Sequence, residues 1–351
     1  MPFYNNLNPR KGEDRWTAVG LLRLRAEIHK RIPAKKMDGN LLLATWNIRA
    51  FGGKGRSKEA LFYIAEILSA FDLIAVQEVG SNLSDFNRLM RFLGSWWRYL
   101  ITDVTLGSRG NRERLAFIYD SRKVTFGGFA SQIVVPPTVE KGGKRTPAEQ
   151  LARTPFLVGF RTGWLKFTIC TAHILYGKGV AAPPERVQEI RTLAQFLADR
   201  ARNPNAWAKN MIVLGDFNIF NPKDETFAAL KSANFIVPQR LQGMTSNALG
   251  GKHFDQIAFI APDLEDKLEL SAAGVLDIFN TVFTGKKKDL KFYSQAKGKT
   301  FRIWRTYLLS DHLPMWIELR TDFSTRYLQN KMRPTGRAAV PADEAAPPST
   351  G

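Results

Sequence analysis

Apolar runs that stop at a polar residue recur along this chain. The sharpest is Met211-Ile-Val-Leu-Gly-Asp-Phe-Asn-Ile219, where four apolar residues run into Gly215 and Asp216 and Asn218 follow at a spacing of two. A short continuous apolar run reads as a strand buried on both faces, and side chains at i and i+2 point to the same side of a strand. The pattern sends Asp216 and Asn218 out together from the end of a buried strand. The glycine beside them lets another group come close. Such a pair suits a phosphate and a hard cation. An Asx turn closing the strand is the other reading the pattern leaves open.

Further strands are predicted over residues 41–48, 71–76, 98–103, 114–119 and 124–135, from 153 onward, and over 164–174, 253–260 and 308–319, the last after a loop tip. Helical periodicity covers residues 13–31, 57–70, 83–93, 184–199 and 226–231. Ser57 is placed to cap the second of these helices, and Pro183-Pro184 opens the fourth. Strands alternating with helices predict an α/β layered domain over 41–322. A basic helical arm (1–40) precedes it. That arm either touches a polyanion or packs on the core with a solvated basic face. A low-complexity tail (323–351) expected to be disordered follows. The runs ending Trp46-Asn47-Ile48 and Phe217-Asn218-Ile219 are alike, which suggests two similar halves brought together.

Charge narrows the function. Lys plus Arg number 51 against 32 Asp plus Glu, for a net charge of +19 over 351 residues. Such a surface attracts polyanions, nucleic acid first and anionic membrane second. The basic residues gather in loops: Arg109 and Arg112 in 107–113, Lys141 and Lys144 in an exposed loop over 139–150, and Lys286, Lys287, Lys288, Lys291 and Arg302 in 283–306. In the last segment Phe292, Tyr293, Phe301 and Trp304 are interleaved, a mixture suited to phosphate contacts and base stacking. Cys170 is the sole cysteine, so an intrachain disulfide and a cysteine metal site are both excluded. The first residues lack an apolar signal core and no run is long enough to span a bilayer. A cytoplasmic setting is expected.

Strand after strand ends in a polar residue: Asn47, Glu78, His173, Asp216 with Asn218, Asp255, and Asp311 with His312. Sites in layered α/β folds form at strand ends, and two of only four histidines lie there. A carboxylate such as Glu78 directly after a buried strand is costly unless exposed, paired or metal-bound.

The motifs TWNI (45–48), QE (77–78), RERLAFIY (112–119), TAH (171–173), GDFN (215–218), FDQIAF (254–259) and SDHLP (310–314) resemble, in order and across residues 41–319, those of the endonuclease/exonuclease/phosphatase superfamily with its deoxyribonuclease I-like fold. The resemblance implies a four-layered α/β sandwich: two packed, mostly antiparallel β-sheets flanked by helices. It also implies a Mg²⁺-dependent phosphodiesterase site at which Mn²⁺ can substitute. On that resemblance Glu78 is the principal metal ligand, with Asn47 beside it and Asp311 nearby. Asp216 and Asn218 position water and the scissile phosphate. His312, oriented by Asp255, acts as general base. His173, oriented by Glu113, donates to a phosphate oxygen, and Arg153 contacts the phosphate. Which histidine is acid and which base is not readable from sequence. The expected products carry 5′-phosphate and 3′-hydroxyl ends.

His173 favours the deoxyribonuclease-like, toxin-like and lipid-phosphodiesterase branches over abasic-site endonucleases. His253-Phe-Asp-Gln256 departs from the Trp-Cys-Asp-Arg signature of inositol-phosphate phosphatases. Asn111 stands roughly where secreted deoxyribonuclease I has a groove-binding Tyr, which leaves that contact without a counterpart. The expectation is a DNA endonuclease of low sequence specificity. The rivals are a phosphodiesterase or phosphatase for lipid or small phosphorylated substrates, to be told apart by activity on those and none on DNA, and a non-catalytic nucleic-acid-binding module.

Overall fold

The computed structural model describes residues 2–52, 55–107, 109–140, 142–261, 270–285 and 299–332. Lys286, Lys287, Lys288, Lys291 and Lys141, and the tail beyond 332, lie outside them. In chain order the elements are α1 (Gly12–Arg31), β1 (Asn40–Phe51), α2 (Lys58–Ser69), β2 (Leu73–Gly80), α3 (Ser84–Leu93), β3 (Trp97–Ile101), β4 (Glu113–Asp120), β5 (Thr125–Gln132), β6 (Thr138–Val139), β7 (Arg145–Thr146), β8 (Phe156–Thr162), β9 (Leu165–His173), α4 (Pro184–Arg202), β10 (Met211–Asp216), α5 (Glu225–Lys231), α6 (Gln239–Gln242), β11 (Asp255–Ile260), β12 (Leu270–Val275), α7 (Phe301–Leu308), β13 (Met315–Arg320) and α8 (Ser324–Met332).

One sheet runs β12-β13-β1-β2-β4-β3, the other β11-β10-β9-β8-β5. Each is antiparallel except for one parallel pair, β1 with β2 and β9 with β10. A helix crosses over within each pair, α2 in the first and α4 in the second. The period-2 alternation of the strands sorts their side chains. Leu41 and Leu43 of β1, Leu73 and Ala75 of β2, Phe167 and Ile169 of β9, and Ile212 and Leu214 of β10 fill the core between the sheets. Leu42, Ala44 and Trp46 face the helices of the first sheet; Cys170, Met211 and Val213 face those of the second. The result is the four-layered sandwich expected from the sequence.

Three expectations are altered in detail, and the alternative left open for the N-terminal arm is decided. The two halves exist, but topology pairs β1 with β9 and β2 with β10. The likeness of Trp46-Asn47-Ile48 to Phe217-Asn218-Ile219 therefore joins strands that are not equivalent. The basic loop over 139–150 contains a hairpin of β6 and β7. The first nine residues past Phe323 form α8, with Tyr327 against Trp164. The N-terminal helix α1 is no free arm: Leu21, Leu24 and Ile28 are buried in the first sheet's helical layer. Among the described residues no helix is long and apolar enough to cross a membrane.

Candidate active site

The site is the polar end of the seam between the sheets. The positions that carry apolar side chains into that seam continue in phase to Thr45 and Asn47 on β1, Gln77 on β2, Thr171 and His173 on β9, and Asp216 on β10. Glu113 and Asp255, at the starts of β4 and β11, share the inward phase of Leu115 and Ile257. Each strand thus delivers an oxygen or nitrogen donor to one end of the core. Gln77 marks the transition: its Nε2 donates to Thr45 Oγ1 at 3.1 Å and to Thr171 Oγ1 at 2.8 Å, joining the two sheets through buried groups. Glu78 follows with the wrong parity. A bulge in β2 and a left-handed backbone at Glu78 (φ 59°) turn it into the site.

Asp216 is the hub. Its Oδ2 accepts from Asn47 Nδ2 at 3.0 Å and lies 3.4 Å from His173 Nε2 and 3.5 Å from His312 Nε2. Its Oδ1 accepts the backbone N–H of Asn218 at 2.9 Å. The Asx turn left open by the sequence is therefore the one formed. Asn218 is left-handed (φ 52°) and its amide donates to Ile174 O at 2.8 Å, so it does not project beside Asp216 as i, i+2 strand geometry requires. Gly215 is needed because a Cβ there would meet the β9 backbone, Ala172 O, at 2.0 Å.

Each imidazole is held from behind by a carboxylate. His312 Nδ1 lies 2.8 Å from Asp255 Oδ2, with the ring stacked on Phe254. His173 Nδ1 lies 3.1 Å from Glu113 Oε1, which is also ion-paired to Arg153. Burial favours neutral His312, but Asp255 and then Asp216 outweigh it and hold the imidazolium well above the usual histidine range. Burial likewise acts against protonated His173, and Glu113 reverses it, for a net upward shift. Burial raises the Asp255 carboxyl despite His312. Burial also acts against the Glu78 carboxylate, but His173, the Ala50 N–H and Asn47 hold it below its ordinary value.

Of the residues singled out from sequence, Asn47, Glu78, Glu113, His173, Asp216, Asn218, Asp255 and His312 come together. Arg153 is buried behind them, with Nη1 3.4 Å from Ile174 O. Asp311 is half-exposed and pairs with Arg49 Nη1 at 3.2 Å. Arg109 is exposed and pairs with Glu149 at 3.2 Å; Arg112 is exposed, and Arg302 donates to Leu249 O. Sequence reasoning passed over Ser310, which sits inside a quoted motif. Its Oγ donates to Asn47 O at 2.5 Å and accepts the His312 N–H at 3.0 Å, so it locks two site strands together.

The donors fit a hard cation. Asn47 Oδ1 is buried with no hydrogen-bond partner among the described residues, a state that costs about 1–3 kcal/mol if left so. It sits beside Glu78, whose Oε1 accepts from Asn47 Nδ2 at 2.9 Å. An all-oxygen pair of carboxylate and amide suits Mg²⁺. Glu78, Glu113 and His173 also bring ligand atoms within 4.8 Å of one another. There, however, the Arg153 guanidinium bound to Glu113 would repel a cation, which leaves Glu78 and Asn47 as the better seat.

Residues 44–293 match the model of the endonuclease/exonuclease/phosphatase family. A deoxyribonuclease of Thioalkalivibrio sp. is 31% identical over 200 residues, 55% of this chain and 50% of that protein. Rat deoxyribonuclease-1 is 27% identical over 196 residues, 52% of this chain and 62% of that protein. The matches thus span half to three-fifths of these relatives' lengths. The human Nocturnin catalytic domain, solved with a bound sulfate anion, superposes with a TM-score of 0.52 at 16% identity, covering 80% of this chain and 93% of that one. At that identity it speaks for the fold alone. With the match to the family model covering well over half of its residues, the chain belongs to the endonuclease/exonuclease/phosphatase family.

Proposed function

We propose that this phosphoesterase is a Mg²⁺-dependent DNA endonuclease that cuts phosphodiester backbones with little sequence specificity. The observation that carries the reading is the convergence of two buried, carboxylate-held imidazoles on Asp216 Oδ2, next to an oxygen-only seat for a cation. The deoxyribonuclease relatives and the net charge of +19 favour a nucleic-acid backbone over a small phosphoester.

Phosphodiesters repel hydroxide, so the site must take a proton from water and neutralise charge that develops on phosphate. Glu78 and Asn47 would hold a cation, which would supply part of that neutralisation. Asp255 fixes the His312 ring so that Nε2 faces Asp216 and the reacting water. The ring takes the water's proton from its neutral form, which Asp255 and Asp216 disfavour at rest and which the positive charge of a cation beside Glu78 would favour. Asp216 orients that water, its own rotamer locked by the Asn218 N–H and the Asn47 amide. His173, whose protonated form Glu113 favours, donates to a phosphate oxygen from the other side. Arg153 stiffens the Glu113–His173 pair, and the exposed Arg112 and the basic sequence over 286–305 would contact flanking phosphates.

Nicking of supercoiled plasmid by the purified chain tests this, with Mg²⁺, with EDTA, and with His312→Ala. Mg²⁺-dependent nicking that the variant loses is the expected result. No nicking by folded protein that does hydrolyse a lipid or small phosphoester would replace the reading with its rival.

A further inference from the structure

Two arginines outside the reacting cluster occupy matching places in the two halves. Arg56 lies just before α2 and Arg186 in the first turn of α4, the crossover helices of the two parallel pairs. A cation at a helix N-terminus is opposed by the helix dipole, so neither position is chosen for its helix. Each guanidinium instead turns towards backbone carbonyls. Arg56 donates to Arg49 O at 2.5 Å, Ala50 O at 3.5 Å, and Leu308 O and Leu309 O at 3.1 Å each. Arg186, fully buried, donates to Asn218 O at 2.8 Å, Leu175 O at 2.9 Å, Val180 O and Ala181 O at 3.3 Å each, and Tyr176 O.

The carbonyls they hold are not arbitrary. Ala50 and Asn218 are both non-glycine residues in the left-handed region, φ 45° and 52°, where each costs about 1–3 kcal/mol unless its surroundings fix it. Their N–H groups aim the site's carboxylates: Ala50 N–H donates to Glu78 Oε2 at 2.7 Å, and Asn218 N–H to Asp216 Oδ1 at 2.9 Å. A planar fork of five donors is what such a cluster of carbonyls requires, and lysine cannot supply it.

We propose that Arg56 and Arg186 are paired positioning residues, each clamping one half of the site: Arg56 acts through Ala50 on Glu78, and Arg186 through Asn218 on Asp216. The clamps thus divide the labour, cation seat on one side and water-orienting carboxylate on the other. The proposal rests on the phosphodiesterase reading of this site.

The test compares Arg56→Met and Arg186→Met in the full chain, with Lys variants beside them. Mg²⁺ affinity is measured by calorimetry, amide exchange by residue, and kcat and KM on plasmid. Arg56→Met should weaken Mg²⁺ binding at least about tenfold and speed exchange at 49–51 and 308–310. Arg186→Met should leave Mg²⁺ affinity within about twofold and speed exchange at 174–181 and 216–218. It should also lower kcat about 100-fold with KM little changed. Where a Met variant does not fold, the Lys variant carries the same readouts, since it keeps the charge and loses the fork. Equal effects of both arginines on Mg²⁺ affinity, or exchange rising uniformly over the chain, would overturn the division. Should the wild type cleave no nucleic acid, the function proposed above fails, while calorimetry and exchange still decide this one.

Discussion

Asp255→Asn removes a charge without changing shape, and its effect can be worked from the geometry. Asp255 is fully buried and its Oδ2 lies 2.8 Å from His312 Nδ1. In the proposed mechanism, when neutral His312 takes a proton from water, the new imidazolium forms against that carboxylate. Two charges about 4 Å apart interact by roughly 4 kcal/mol at an effective dielectric constant of 20, a factor of about 10³ in rate. The amide also leaves the ring free to adopt the other tautomer. We expect kcat for plasmid nicking to fall about 10³-fold with KM within about threefold. The folded state should survive, because burial already opposes the carboxylate at this position. The acid limb of the pH–rate profile should move to lower pH, since burial of His312 then lacks its main opponent. Initial rates of nicking across pH, in both wild-type and His312→Ala backgrounds, provide the assay. If Asp255 acts through His312, it adds almost nothing once the imidazole is gone. A loss below about tenfold, or the same loss in both backgrounds, would refute the reasoning.

Three further outcomes follow from the same structure. Gln77→Leu should destabilise the chain by about 2–4 kcal/mol, because it strips Thr45 and Thr171 of their shared buried partner; urea unfolding checks this, and a change under about 1 kcal/mol would show the bridge to be dispensable. Charge reversal of Lys286, Lys287 and Lys288 should weaken DNA binding and flatten its salt dependence while sparing hydrolysis of a small chromogenic phosphodiester; equal loss of both activities would count against that segment as a DNA contact. Glu189 has a folded-state pKa raised by burial, although Leu175 and Ala152 N–H groups bond its carboxylate. Its contribution to stability is full below the unfolded value of about 4.5 and falls as pH rises through the higher folded value. Glu189→Gln should therefore narrow its stability deficit against wild type as pH rises above about 4.5; a deficit independent of pH in unfolding curves taken from pH 4 to 8 would sink the assignment.

The strands and their chemistry were legible for one reason. Both follow the same period of two, so the residues that end the apolar stripe are also those that enter the site. That is why Asn47, His173, Asp216 and Asp255 could be picked out before any contact was known. Glu78 was found by its position after a strand, although its entry depends on a bulge that no pattern announces. Arg186 and Glu189 were invisible for the opposite reason. On α4 they stand among other charged residues and read as a solvated face, and only the loops returning over the helix bury them. The equivalence of the halves was misread because Trp-Asn-Ile and Phe-Asn-Ile share composition, whereas symmetry here lies in strand direction. In the parallel pairs β1 corresponds to β9, so Asn47 stands where the second half has His173, and its register partner Gln77, not Glu78, stands where that half has Asp216.

The charges of the buried cluster bear on why the proposed reaction would need a cation. The buried cluster sets Glu78, Glu113, Asp216 and Asp255 against Arg153, His173 and His312. Burial raises Asp255 while the pairing raises His312, so the proton those two share leaves the cluster's charge unchanged wherever it sits. With both histidines protonated, three cations face four carboxylates, and the cluster is one negative charge in excess. A phosphodiester approaching it is repelled, whatever the +19 surface does at longer range. A divalent cation at the proposed seat of Glu78 and Asn47 would reverse the sign to one positive charge, which a single phosphodiester would balance. Surface and site therefore separate cleanly. In EDTA, DNA should still bind with a steep salt dependence, whereas a mononucleotide phosphodiester, which lacks the length to use the surface, should bind only when Mg²⁺ is present. Calorimetry with and without Mg²⁺ measures this, and mononucleotide binding of equal strength in EDTA would mean that the cluster is not the anion-repelling arrangement its charges describe.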